Sequence, residues 1–266
     1  MIKKIMDDLG RRSNKKILGI GHSHILAIHY AAEPQKEQLR NLHNLDLRIV
    51  WLGDDRYKDF RIHKGNTGVE GFVWSQEIEQ EINNLNSKSD ILFSVFGGNA
   101  HNIFGMVQHP TPFDFILSTE PDLFLCQKAE LVPEAIIELA LTSQGGFPET
   151  IWCLRAARDK FLGRIVHIES PPPIKDAEYL RDHAGAFEES FATYGISPEI
   201  LRYKLWRLHS RLIKAECDRL DIEFIESPTI FVDKDGFLSS SGYSMDTTHA
   251  NVEYGNAVIQ QLTSLN

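Results

Sequence analysis

Long apolar runs and a cysteine framework are both missing from this chain. No stretch approaches the 18 or so consecutive apolar residues that a membrane-spanning helix needs. The opening MIKKIMDDLGRRSNKK is charged, where a secretory signal carries an apolar stretch of about 7–15 residues. No membrane partner is therefore expected, and the expected compartment is the cytoplasm. Cys126, Cys153 and Cys217 lie far apart with no CxxC spacing, which excludes a disulfide framework and a zinc-finger pattern; buried core thiols are expected. Basic residues are also short, 28 Lys and Arg against 37 Asp and Glu, for a formal net charge of −9. A surface made to neutralise phosphates needs the opposite balance, so no nucleic-acid partner is expected, and small neutral or cationic molecules fit better.

What the chain does have is enough apolar material for one core. At 266 residues, 42% apolar and 24% charged, it needs no staple for stability, and a single domain over 1–266 is expected. Short apolar runs alternate with amphipathic stretches, which predicts an α/β fold with a parallel sheet covered by helices on both faces. Strands are expected at 17–21, 47–52, 90–96, 164–169 and 222–226. Ile78, Ile82 and Leu85 mark one helix face, and Ser197-Pro198 opens a helix carrying Leu201, Leu205, Leu208 and Leu212. A third helix runs from near Pro133 to Gly145-Gly146, and a last one covers roughly 250–262. Two stretches exceed what such a scaffold needs. Residues 101–147 include apolar pieces at 113–117 and 123–126 that suggest a small hairpin or loop packing, and 171–196 suggests a lid or substrate wall.

The chemistry-bearing residues fall where such strands end. Gly19-Ile20-Gly21-His22-Ser23-His24 closes the first strand and leads into a helix, placing the Ser23 hydroxyl at the carboxyl edge of the sheet. Alone, such a serine is more often a helix N-cap than a nucleophile. As a nucleophile it needs a base held by a carboxylate, and Asp246-Thr247-Thr248-His249 offers both within one turn of chain. Oxyanion donors are available from the Ser23 amide, from Asn99 in Phe96-Gly97-Gly98-Asn99, and from a backbone amide of Gly65-Asn66-Thr67-Gly68.

These pieces resemble the blocks of the SGNH (GDSL-type) hydrolase superfamily in its chain order: Gly21-His22-Ser23, Gly68, Gly97-Gly98-Asn99, and Asp246 with His249. The resemblance implies a three-layer α/β/α, flavodoxin-like doubly wound sheet of about five mainly parallel strands. It further implies an enzyme that cleaves an ester, O-acetyl esters included, or a thioester, through an acyl-enzyme and without a cofactor or metal. Its catalytic residues would be Ser23, Asp246 and His249, and its oxyanion hole Ser23, Gly68 and Asn99, with Gly65 and Gly71 as rivals of Gly68. The substrate partner would be a small-molecule ester or acylated compound. Two positions depart from the pattern: His22 replaces the usual acid before the serine, and Ala100 stands where many members have Asp.

Surplus histidines open other readings. His22, His24 and His101 are pocket candidates, with simple packing as the alternative, and His29 is expected to be structural. An HxH pair such as His22 and His24 also suits a divalent ion, and Gly53-Asp54-Asp55-Arg56 faintly resembles a metallophosphoesterase acidic block, although the order is wrong for that family. A metal-dependent hydrolase is therefore one alternative. An acyltransferase, or a noncatalytic binding protein on the same fold, is another.

Overall fold

The computed structural model describes residues 14–57, 61–64, 70–144 and 146–265. In chain order the regular elements begin with β1 (Lys15–Gly21), α1 (Ile25–Ala32), α2 (Lys36–His43), β2 (Leu45–Trp51), β3 (Arg61–Lys64), β4 (Glu70–Val73), α3 (Gln76–Asn83) and β5 (Ile91–Val95). They continue with α4 (Ala100–Gly105), β6 (Phe113–Asp114), β7 (Glu130–Leu131), α5 (Glu134–Ser143), α6 (Phe147–Lys160) and β8 (Arg164–Ile168). The chain closes with α7 (Ala177–Asp182), α8 (Glu188–Tyr194), α9 (Glu199–Arg219), β9 (Glu223–Ile225) and α10 (Val252–Thr263).

The main sheet has five strands in the order β2-β1-β5-β8-β9, all parallel, and its strands fall at the five expected runs. Alternate residues face opposite layers, as the pleat requires. Ile17, Ile91, Phe93, Val95, Val166 and Ile168 point to the layer formed by α1, α2 and α10. Leu18, Ile20, Leu92, Phe96 and Ile165 point to the layer of α3, α6 and α9. The fold is thus the expected three-layer α/β/α arrangement. Strand order reverses between β1 and β5, and such a switch point opens a crevice at the carboxyl ends of the two strands.

Capping explains where several helices begin. The Ser75 hydroxyl accepts from the Ile78 amide at 3.3 Å and starts α3, whose Ile78 and Ile82 are buried. The Asn251 side chain accepts from the Tyr254 amide at 3.1 Å and starts α10.

The sequence reading missed several pieces. The helix expected from Pro133 to Gly145-Gly146 ends at Ser143, and α6 follows, a 14-residue helix over a stretch where no element was expected. Gly146 takes a left-handed φ of 83° as its N-cap, and a proline sits in its first turn, where a missing amide hydrogen costs nothing. Helix α2 and the antiparallel pair β3–β4 were also unanticipated. Residues 113–126 form no hairpin: β6 pairs in parallel with β7, and 123–126 is not strand. A buried ion pair organises this segment instead. Lys204 Nζ on α9 lies 2.9 Å from Asp114 Oδ1 and donates to the Phe124 carbonyl at 2.8 Å, while Asp114 Oδ2 accepts from the Cys126 amide at 2.7 Å. Cys153 and Cys217 are buried as expected, but Cys126 is only partly so.

Helices α1 and α10 pack on the same side of the sheet with their backbones in contact. A Cβ added to Gly255 would lie 2.1 Å from the Ala27 carbonyl oxygen. Replacing a helical glycine by alanine gains about 1 kcal/mol of helix propensity, but forcing a methyl group against backbone costs roughly 1–3 kcal/mol or more. Gly255→Ala is therefore expected to lower stability by about 1 kcal/mol or more in urea denaturation; an unchanged or raised midpoint would show that the two helices separate freely.

Candidate active site

Ser23 occupies the turn between β1 and α1. The His22 amide donates to the Val95 carbonyl at 3.1 Å, pinning the turn to β5, and the Leu26 amide donates to the Ser23 carbonyl at 3.0 Å as the helix begins. The serine hydroxyl is thereby held at the carboxyl edge of the sheet rather than spent as a cap.

The residues Asp246 to His249 form a tight turn just before α10. Asp246 Oδ1 accepts from the backbone amides of Thr248 and His249, each at 2.8 Å, which leaves Oδ2 facing His249 Nδ1 at 3.0 Å. The carboxylate selects the tautomer with its proton on Nδ1, so Nε2 is free to accept from the Ser23 hydroxyl, 2.7 Å away across 226 positions of sequence. Burial pushes the Asp246 carboxyl upward, but the hydrogen bonds from the His249 ring and the two amides outweigh it and hold the group well below the usual carboxylate range. Asp246 therefore stays ionised wherever the imidazole needs a partner.

Asn99, four residues past the end of β5, is the N-cap residue of α4 and lines one cavity with Ser23. Gly97 has a left-handed φ of 66°, and a Cβ there would meet Thr150 Oγ1 at 1.8 Å; one on Gly98 would meet His24 Cδ2 at 2.3 Å. Both glycines are needed for the chain to turn here and leave Asn99 beside the serine. Gly68, with Gly65, Asn66 and Thr67, lies outside the described residues.

Two cavities meet at Ser23. One, of about 420 Å³, is lined by Leu26, Tyr30, Met245, Val252 and His249. The other, of about 320 Å³, is lined by His22, His24, Asn99, Ile103 and Glu149. None of their lining residues comes from 171–196. That stretch instead supports the turn that carries Asp246: Tyr179 packs on Tyr243 with ring centroids 4.7 Å apart, and its hydroxyl donates to the Ser244 carbonyl.

No protein-family model and no curated protein sequence matches the chain. Solved structures similar to it include the periplasmic domain of a lipopolysaccharide acetyltransferase from Salmonella ser. Paratyphi A, at 12% identity and TM-score 0.46, covering 98% of this chain and 87% of that one. A putative acylhydrolase from Bacteroides fragilis is 10% identical, with TM-score 0.44 and coverage of 99% and 95%. A GDSL-like lipase from Bacteroides thetaiotaomicron is 10% identical, with TM-score 0.42 and coverage of 98% and 96%.

The surplus histidines separate into two groups. His22 Nε2 lies 3.4 Å from Glu149 Oε1 on α6, a contact that holds the Glu149 carboxyl below its usual range. Sequence gave no hint of Glu149, because it sits on α6, a helix the sequence reading did not assign. His29 is half-exposed on α1, 3.8 Å from Glu33. Asp54 turns to its own neighbour Arg56, at 2.6 Å. Among the described residues no three His, Cys, Asp or Glu side chains converge as a metal site.

Four other imidazoles, those of His24, His101, His167 and His209, form a buried row behind Ser23 and His249. His24 packs on His249, with centroids 4.6 Å apart, and His101 on His209, 5.3 Å apart. His167 Nδ1 lies 2.8 Å from Ser94 Oγ. Burial, chiefly, lowers His24 and His167 to about 3 and His209 to about 4, and holds His101 well below the ordinary range. In the unfolded chain these rings protonate near about 6.5. The unfolded state therefore binds more protons in the interval below that, and the stability present above about pH 6.5 is lost as the pH falls toward 4. Chemical denaturation is expected to give a lower midpoint near pH 5 than near pH 7.5, each buried histidine contributing up to about 1.4 kcal/mol per pH unit. A midpoint that does not move would mean that the row is not buried in solution.

Proposed function

We propose that this protein is a serine hydrolase of the SGNH type that cleaves a small-molecule ester or thioester through an acyl-enzyme. The observation that carries the proposal is the connected set Asp246 Oδ2, His249 Nδ1, His249 Nε2 and Ser23 Oγ, with contacts of 3.0 and 2.7 Å at a parallel-sheet switch point. In this reading Ser23 Oγ attacks the carbonyl carbon while His249 Nε2 takes the hydroxyl proton. The C=O electrons move to oxygen, and the oxyanion is stabilised by the Ser23 amide, Asn99 Nδ2 and, as the third donor, the Gly68 amide. Collapse expels the alcohol or thiol, protonated by His249, and leaves the acyl group on Ser23. Water, deprotonated by His249, then releases the acid and regenerates the serine.

The geometry favours this reading over a metal-dependent one. His22 and His24, the pair that suits a divalent ion, turn to different partners, Glu149 and Asn99. Hydrolysis is favoured over acyl transfer because, among the described residues, the triad is open: the His249 side chain is 27% exposed and Asp246 42%, which gives water access to the acyl-enzyme. Because His249 protonates the leaving group, the leaving group belongs in the cavity with Leu26, Tyr30 and Met245. The acyl group then lies toward Asn99, Ile103 and Glu149.

Intact-protein mass after exposure to a fluorophosphonate tests the nucleophile. One adduct on wild type and none on Ser23→Ala is expected; an adduct on both, or on neither folded protein, overturns the assignment. With p-nitrophenyl acetate, Ser23→Ala is expected to lose roughly 10⁴-fold or more in kcat. Asn99→Ala is expected to lose roughly 10²- to 10³-fold with little change in KM, as for an oxyanion donor that acts in the transition state.

A further inference from the structure

His24 follows the proposed nucleophile, yet its ring takes no part in the triad. Its Nε2 lies 3.1 Å from Asn99 Oδ1, and the same oxygen accepts from Asn102 Nδ2 at 3.0 Å. His24 is 7% exposed and occupies space that exists only because residue 98 is glycine. A carboxamide oxygen and nitrogen are nearly interchangeable in shape, so which end of Asn99 faces the reaction is decided by its partners. Asn102 Nδ2 donates to Oδ1, and His24 Nε2 is a second donor to it in the tautomer that carries its proton there. With the oxygen held inward by His24 and Asn102, the Asn99 NH₂ has no hydrogen-bond partner among the described residues and is left for the cavity it lines beside Ser23.

We propose that His24 is a positioning residue: through its Nε2–H it holds the Asn99 carboxamide with the NH₂ end turned toward the oxyanion. The inference rests on the Ser23–His249–Asp246 reading and adds to it the residue that orients its side-chain oxyanion donor. Burial keeps the His24 ring neutral, with the nearby His249 adding to the effect, so the ring carries a single N–H. That hydrogen satisfies Asn99, and no positive charge arises next to the imidazolium that His249 becomes during attack. If the ring donated elsewhere, Asn99 could turn its oxygen toward a developing negative charge, and its contribution would become repulsive.

The test is steady-state hydrolysis of p-nitrophenyl acetate by His24→Leu, His24→Gln and Asn99→Ala, singly and combined, with thermal melts to confirm folding. His24→Leu removes the donor and is expected to lower kcat roughly 10- to 100-fold, with KM within about twofold. His24→Gln places an amide N–H near the position of Nε2 and is expected to recover most of that loss. In the Asn99→Ala background, His24→Leu is expected to change kcat by less than about twofold, because the group it orients is gone. If His24→Leu does not fold, His24→Asn, whose shorter amide does not reach Asn99, carries the same expectation. A folded His24→Leu or His24→Asn protein with wild-type kcat, a Gln variant no better than Leu, or losses that multiply in full on Asn99→Ala would overturn the positioning role. An active Ser23→Ala protein would overturn the underlying reading instead, so the two failures are distinguishable.

Discussion

The approach of two helix backbones at Ala27 and Gly255 is the constraint on which the candidate site depends. Ser23 sits at the head of α1 and His249 three residues before α10, so their contact is set by how these helices lie against each other. Their shared apolar face, with Ile25, Ile28, Tyr254, Val258 and Ile259 in one core, supplies the attraction. The missing side chain at Gly255 sets the distance. Residues 226 positions apart are thereby held at hydrogen-bond range by packing, and the loop at 243–251 has only to form a local Asx-type turn. Geometry that rests on packed helices is stiffer than geometry that rests on loops, which suits a proton transfer whose efficiency falls steeply with displacement.

The same economy explains the polar residues inside the second core layer. Ser94 on β5 and His167 on β8 face the layer of α6 and α9, where their neighbours along each strand are apolar, and each satisfies the other. His101 and His209 continue the row toward His24 and His249. Neutral imidazoles cost far less to bury than charged ones, so the row is tolerable only while unprotonated. That condition agrees with the chemistry proposed for the site, in which His249 alone gains and loses a proton.

Much of this was legible in the sequence because it is local. The five strands announced themselves as short apolar runs, and Ser23, Asn99 and the Asp246-to-His249 turn lie within a few residues of strand or helix ends. What was not legible depends on partners distant in sequence or on punctuation that reads two ways. Gly145-Gly146-Phe147-Pro148 resembles a loop, yet Gly146 and Pro148 are the N-cap and first-turn residues of α6. Asp114 and Lys204, 90 positions apart, give no sign that they will pair in the interior and replace a hairpin with an ion-pair-centred loop. The contact between His24 and Asn99 was hidden for the same reason, since the two lie 75 positions apart.

His22, directly before Ser23, meets a carboxylate that arrives from elsewhere in the chain. Glu149, arriving on α6, places a carboxylate against His22 at the wall of the cavity that also holds Asn99. That carboxylate lies 3.4 Å from the imidazole, on the side that the proposed mechanism gives to the acyl group. A carboxylate held ionised there opposes any acyl portion that is itself anionic. Under the proposed reading, this carboxylate and the net charge of −9 both favour a neutral or cationic acyl group over an anionic one.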